Sequence, residues 1–167
     1  WFAQAGREHR DPIGGSRSPV PVPFHFSTVW LDPQDTRRAV PYLGASGLGL
    51  PDASYYRSGE ARIQRIRESY LAHVANILRL AGSGDSDTEA RQVLAVETQL
   101  AQALSAAMQE PASPGLYTAK ELAKLAPQFD WKTFFKAAQM PAGQAVQVPS
   151  PAYLAKATAL FAHLPHS

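Results

Sequence analysis

Two apolar stripes at helical spacing, separated only by Ser83-Gly84-Asp85, constrain this chain more than any other feature. Ile63, Ile66, Tyr70, Val74, Ile77 and Ala81 recur every three or four residues, which lays one apolar face along a helix of about six turns. Ser58 can cap its start and Gly82 can stop it. The second stripe begins after Ser86-x-x-Glu89, the sequence form of a capping box, and runs through Val93, Val96, Leu100, Leu104 and Met108 until Pro111 ends it. So short a link predicts an antiparallel pair packed stripe to stripe.

Upstream, residues 11–23 hold four prolines, two adjacent glycines and two serines, and are expected to be a loop. Val20, Val22, Phe24 and Phe26 alternate, which permits a short strand that the intervening prolines confine to a sheet edge. Downstream, Thr118-x-x-Glu121 predicts a short capped helix to about Ala126, and Asp130 can cap the next one through Trp131, Phe134 and Phe135. Gly143 breaks the chain, Ala145-Val146-Gln147-Val148 can be extended, and Ser150-Pro151 starts a last helix bearing Tyr153, Leu154, Ala157, Leu160 and Phe161. Tyr55, Tyr56, Phe129, Trp131, Phe134 and Phe135 are the expected core anchors, because aromatic side chains are the readiest source of burial. The expected fold class is mainly α, an irregular multi-helix domain with at most short extended segments.

An apolar share of 45% is enough for a core in 167 residues. The 16 basic and 14 acidic residues are largely interleaved, so no concentrated field points to nucleic acid as a partner. Without cysteine there is neither a disulfide framework nor a thiolate ligand or nucleophile. No run approaches the roughly 18 apolar residues of a spanning helix, so no transmembrane segment is expected. Residue 1 is Trp, and Trp1-Phe2-Ala3-Gln4-Ala5 reads as the interior of a helix, so the chain is expected to be a piece of a longer polypeptide.

Candidate chemistry is sparse. The histidines are His9, His25, His73, His163 and His166, and none opens a His-Glu-x-x-His motif, which would set two imidazoles on one helix face to hold zinc. His163 and His166 flank Pro165 without a third ligand nearby. His25 beside Ser27 lacks a nucleophile elbow, and a triad needs three groups converging in space. Asp32, Asp35, Asp85 and Asp87 suit turns and caps better than a catalytic carboxylate pair, which Glu60 or Glu68 would have to complete. Gly44-Ala45-Ser46-Gly47-Leu48-Gly49 lacks the Lys-Ser/Thr ending of a phosphate-binding loop. Arg62, Arg65, Arg67 and Arg79, mixed with Glu60 and Glu68, read as a solvated helical face. No catalytic, cofactor-binding or metal-binding residue is assigned.

Gly47-Leu48-Gly49-Leu50-Pro51-Asp52-Ala53-Ser54-Tyr55-Tyr56 is a tight turn against an apolar surface, with Asp52 placed to cap a helical segment that starts beyond it. Before it stand Pro23-Phe24-His25-Phe26, Asp32-Pro33-Gln34-Asp35 and Ala39-Val40-Pro41-Tyr42-Leu43; after it come Glu121-Leu122-Ala123 and Phe129-Asp130-Trp131. In order and spacing this series resembles the non-catalytic, helical N-terminal domain of neprilysin and endothelin-converting-enzyme-type zinc metallopeptidases, from about Val20 to Ala162. The resemblance implies that residues 1–167 are part of a lid domain that shapes and gates a chamber for oligopeptides. It further implies that zinc and the catalytic residues lie in a C-terminal domain of the same polypeptide, inactivity of this chain alone, and a periplasmic or extracellular location. The alternative expectation is a stand-alone helical module that binds peptides or proteins without hydrolysing them.

Overall fold

The computed structural model describes residues 24–32, 35, 37–109, 115–141 and 143–162. The expected loop at 11–23, His9, His163, His166 and Pro111 lie outside the described residues. The chain is mainly α, with five α-helices among the described residues, and it divides into two compact units. One is Leu48–Ala106; the other takes in the described parts of Trp1–Gly47 and Ala107–Ser167.

Leu48–Ala106 is built on the anticipated helix pair. A 3-10 helix, Ala53–Tyr56, starts where Asp52 Oδ1 accepts the Ser54 N–H at 2.7 Å. Helix α1 is Ala61–Leu80, and helix α2, Ser86–Gln109, begins in this unit. The turn that ends α1 is a Schellman motif: Gly82 sits at φ 93, its N–H donates to the Arg79 carbonyl at 3.0 Å, and the Ser83 N–H donates to the Leu78 carbonyl at 3.0 Å. Tyr70 on α1 meets Glu97 on α2 at 2.8 Å, about equally far from the turn along each helix, as an antiparallel pair requires.

Three local details differ from the sequence reading. Glu60 rather than Ser58 stands at the cap of α1, and Ser58 Oγ accepts the Glu60 N–H at 3.2 Å instead. Ser86 is already helical, and the Asp85 carbonyl accepts the Glu89 N–H. The inward face of α2 is also rotated: Ala90, Glu97, Leu100, Ala101 and Ala103 are buried, whereas Met108 is 77% exposed. Ile77, placed on the α1 stripe, is 50% exposed, and Ala75 beside it is buried.

The other unit contains a four-stranded sheet in the order β1-β2-β4-β3, with β1 Phe24–Leu31, β2 Ala39–Ala45, β3 Gly115–Tyr117 and β4 Val146–Val148. The sequence anticipated an extended piece around Val20–Phe26, of which 20–23 lie outside the described residues, and another at Ala145–Val148, but neither strand β2 nor the assembly through it. β1 and β2 form an antiparallel hairpin, closed where the Asp32 N–H donates to the Arg38 carbonyl at 2.9 Å. The register passes from Ser27↔Tyr42 to Trp30↔Val40, so Thr28 and Val29 together face Pro41 in a β-bulge. Proline brings no N–H to a ladder, and the bulge falls where that donor is missing. On its other edge β2 runs parallel to β4 through Tyr42↔Gln147, and β4 pairs antiparallel with β3.

All three β4 residues are buried, and Val146 and Val148 join Leu43, Leu122, Ala126, Trp131, Phe135 and Leu154 in one core. Trp131 is its largest member, and its Nε1–H donates to the Ala126 carbonyl at 2.9 Å, so the indole is buried without an unpaired donor. Phe129 and Phe134 ring it with centroids 4.6 and 6.0 Å away. Helix α3, Ala119–Leu125, carries the expected capping box complete on both sides, helix α4, Trp131–Ala137, is capped by Asp130, and helix α5 is Pro151–Ala162. Ser150 Oγ accepts the Tyr153 N–H at 3.3 Å at the start of α5.

Thr118→Ala removes the acceptor for the Glu121 N–H and is expected to lower unfolding stability by about 1 kcal/mol. Denaturant titration of the variant checks this, and an unchanged midpoint would show that the box contributes nothing.

Candidate functional site

The sequence assigned no site residues. His73 and Glu68 are exposed on α1, as are Arg62, Arg65 and Arg79. Arg67 differs from them, because it reaches back to the Tyr55 and Ser58 carbonyls at 2.7 and 2.9 Å and ties the 3-10 segment to α1. Asp35 is a turn residue, with Oδ1 taking the Arg37 N–H at 3.2 Å and Arg37 Nε at 3.0 Å. Those bonds hold its carboxyl below the usual range. Asp32, also read as a turn residue, is 2% exposed, and its Oδ2 lies 4.0 Å from Arg38. Among the described residues no three of His, Cys, Asp and Glu stand together as a metal site. The zinc implied by the resemblance has no ligand set among them.

The distinctive polar cluster lies instead under the Gly-Leu-Gly-Leu-Pro-Asp turn. Glu97, only 4% exposed, accepts the Tyr70 hydroxyl on Oε1 at 2.8 Å and the Tyr56 hydroxyl on Oε2 at 2.9 Å. Tyr56 Oη accepts the Leu50 N–H at 2.9 Å, so one relay runs from the turn backbone through a tyrosine to a carboxylate on α2. Burial pushes the Glu97 carboxyl up, and hydrogen bonds from Tyr70, Tyr56 and the Gly49 amide oppose that shift. Tyr56 and Tyr70 are raised mainly by burial, and the neighbouring carboxylate adds to both shifts. Leu50, Tyr56 and Ala101 form the apolar base, with Leu48, Ile66, Tyr70 and Leu94 packed against it.

This geometry explains Gly49. A Cβ there would stand 2.0 Å from Tyr70 Oη and 2.6 Å from Tyr70 Cζ, so the glycine exists to let the turn lie on the ring. Glu97 itself escaped the sequence reading. It sits three residues after Leu94 and four before Ala101, inside a face that is visible only if alanines are counted as apolar. The cluster's donors and its carboxylate acceptor satisfy one another, so it acts as a clasp on the turn.

In the other unit, Tyr153 Oη donates to the Ser46 carbonyl at 2.8 Å, and burial pushes this phenol up to about 12. Gln147 Oε1 is buried without a hydrogen-bond partner among the described residues.

A family model for the N-terminal part of Peptidase family M13 matches residues 13–167. The chain belongs to peptidase family M13. Endothelin-converting enzyme 1 of Cavia porcellus is 30% identical over 118 residues, covering 67% of this chain and 16% of that protein. Membrane metallo-endopeptidase-like 1 of Homo sapiens is 32% identical over 114 residues, covering 64% of this chain and 14% of that protein. The structure of Mycobacterium tuberculosis zinc metalloprotease Zmp1 in complex with inhibitor aligns with a TM-score of 0.71 at 26% identity, covering 88% of this chain and 23% of that one. The M13 chain described here thus spans under a quarter of each of these relatives and corresponds to the N-terminal domain of the family. No helix among its described residues is long and apolar enough to cross a membrane.

Gly49→Ala is expected to destabilise the protein by about 1–3 kcal/mol, in the range of overpacked cores. Adding Tyr70→Ala should recover part of that loss by opening the space the methyl needs. A double-mutant cycle in denaturant measures the coupling, and strictly additive losses would contradict the steric account.

Proposed function

We propose that this M13 segment is part of the helical lid of a zinc metalloendopeptidase that cleaves oligopeptides, shaping and gating the chamber through which substrate reaches a catalytic domain elsewhere in the polypeptide. The match of residues 13–167 to the family's N-terminal model carries this reading. The zinc-binding residues, the general base and the peptide contacts then belong to that catalytic domain, and this chain contributes walls rather than reacting groups. A periplasmic or extracellular location goes with the same reading. Its physical basis here is that each unit is well packed, with buried aromatics and clasped turns suited to a rigid wall.

The purified 167-residue chain is expected to leave a quenched fluorescent peptide intact even with zinc added. The full-length polypeptide is expected to cleave it, with loss of activity under a zinc chelator. It should also spare the same peptide sequence when that sequence is held inside a folded protein. Chelator-sensitive hydrolysis by the isolated chain would contradict the division of labour, and equal cleavage of the folded substrate would contradict the chamber.

A further inference from the structure

Glu97 is a buried carboxylate whose neighbours are neutral. The turn presents the Gly49 and Leu50 amides, the 3-10 helix presents Tyr56, and α1 presents Tyr70. On its own helix the residues one turn away on this face are Leu94 and Ala101. Arg67, one turn before Tyr70, spends its guanidinium on the Tyr55 and Ser58 carbonyls, and Glu68 is exposed. No cation among the described residues bears on the Glu97 carboxylate. A buried charge without a counter-ion is costly, and hydrogen bonds from neutral donors offset only part of the cost.

We propose that Glu97 makes the seating of the Leu48–Tyr56 segment on the α1–α2 hairpin proton-linked, tighter in acid than near neutral pH. Lifting the segment exposes the carboxylate to water, where it ionises freely; seating the segment returns the carboxylate to a site that favours the neutral acid. Burial is the largest influence on Glu97 and raises its pKa above the ordinary 4.5. A carboxyl whose pKa is higher in the seated form binds its proton more tightly there. Its contribution to seating is complete below about 4.5 and is lost as pH rises through the seated-state value. The tyrosine hydroxyls limit the loss, because both donate to the ionised form. This linkage rests on the local geometry alone and stands or falls independently of the lid reading.

Hydrogen exchange of the peptide spanning residues 48–56, measured in the full-length polypeptide and corrected for intrinsic rates, tests the linkage. Protection of the wild-type segment is expected to fall severalfold between about pH 5 and about pH 8, while Glu97→Gln, neutral throughout, stays flat. Tyr70→Phe removes a donor that favours the ionised form, so its protection should fall more steeply than that of the wild type. A flat wild-type profile, or one that Glu97→Gln reproduces, overturns the proposal. Should Glu97→Gln fail to fold, the Tyr70→Phe profile and an infrared titration of the Glu97 carboxyl decide the matter. A carboxyl titrating at or below 4.5 also overturns it.

Discussion

The short strand β4 is what the sheet-bearing unit depends on. Val146–Val148 contributes three residues, yet it carries a parallel partner on one edge and an antiparallel partner on the other, and all three side chains are buried. A two-stranded hairpin alone is marginal in water, so β1 and β2 need this third strand and the helices behind it to persist. Through Tyr42↔Gln147 a segment from the first part of the chain is fixed to one near its far end. Trp131, Leu122 and Leu154 then close over the joined strands.

In Leu48–Ala106 the corresponding constraint is polar. Apolar packing of Leu50, Tyr56 and Ala101 supplies most of the attraction, but it does not by itself choose one orientation of the turn. Glu97 does, because two tyrosines from different elements and the turn backbone must all reach one carboxylate group. Such a network specifies geometry in proportion to how badly an alternative arrangement would leave its members unpaired.

Legibility from sequence tracked the range of the interaction. Asp52, Thr118 with Glu121, Asp130 and Ser150-Pro151 all cap as expected, because a cap is decided by residues two or three positions apart. Gly82 ended α1 for the same reason. The buried face of α2 was read only in part: Leu100 is buried as expected, but the large residues Val93, Val96 and Met108 outshone a face made of Ala90, Ala101, Ala103 and a glutamate. Ala39–Leu43 stood out only as a run in a motif series; that it is a strand went unread, since its parallel pairing with β4 depends on chain far away. The family could be recognised from the glycine-rich turn without knowing why the glycines were there. That reason is the Tyr70 ring beneath Gly49, brought there from 21 residues further along the chain.

Pro41 facing the β1 bulge has a consequence for the evolution of the hairpin. Sliding the two strands by one residue would move the bulge off the proline and set a residue with no amide hydrogen into the regular ladder, so register is written into a single side chain. An insertion or deletion inside β1 would therefore be tolerated poorly, while the connection between Asp32 and Arg38 lies beyond the reach of that constraint. Length variation among related hairpins should collect at the tip and spare the strands.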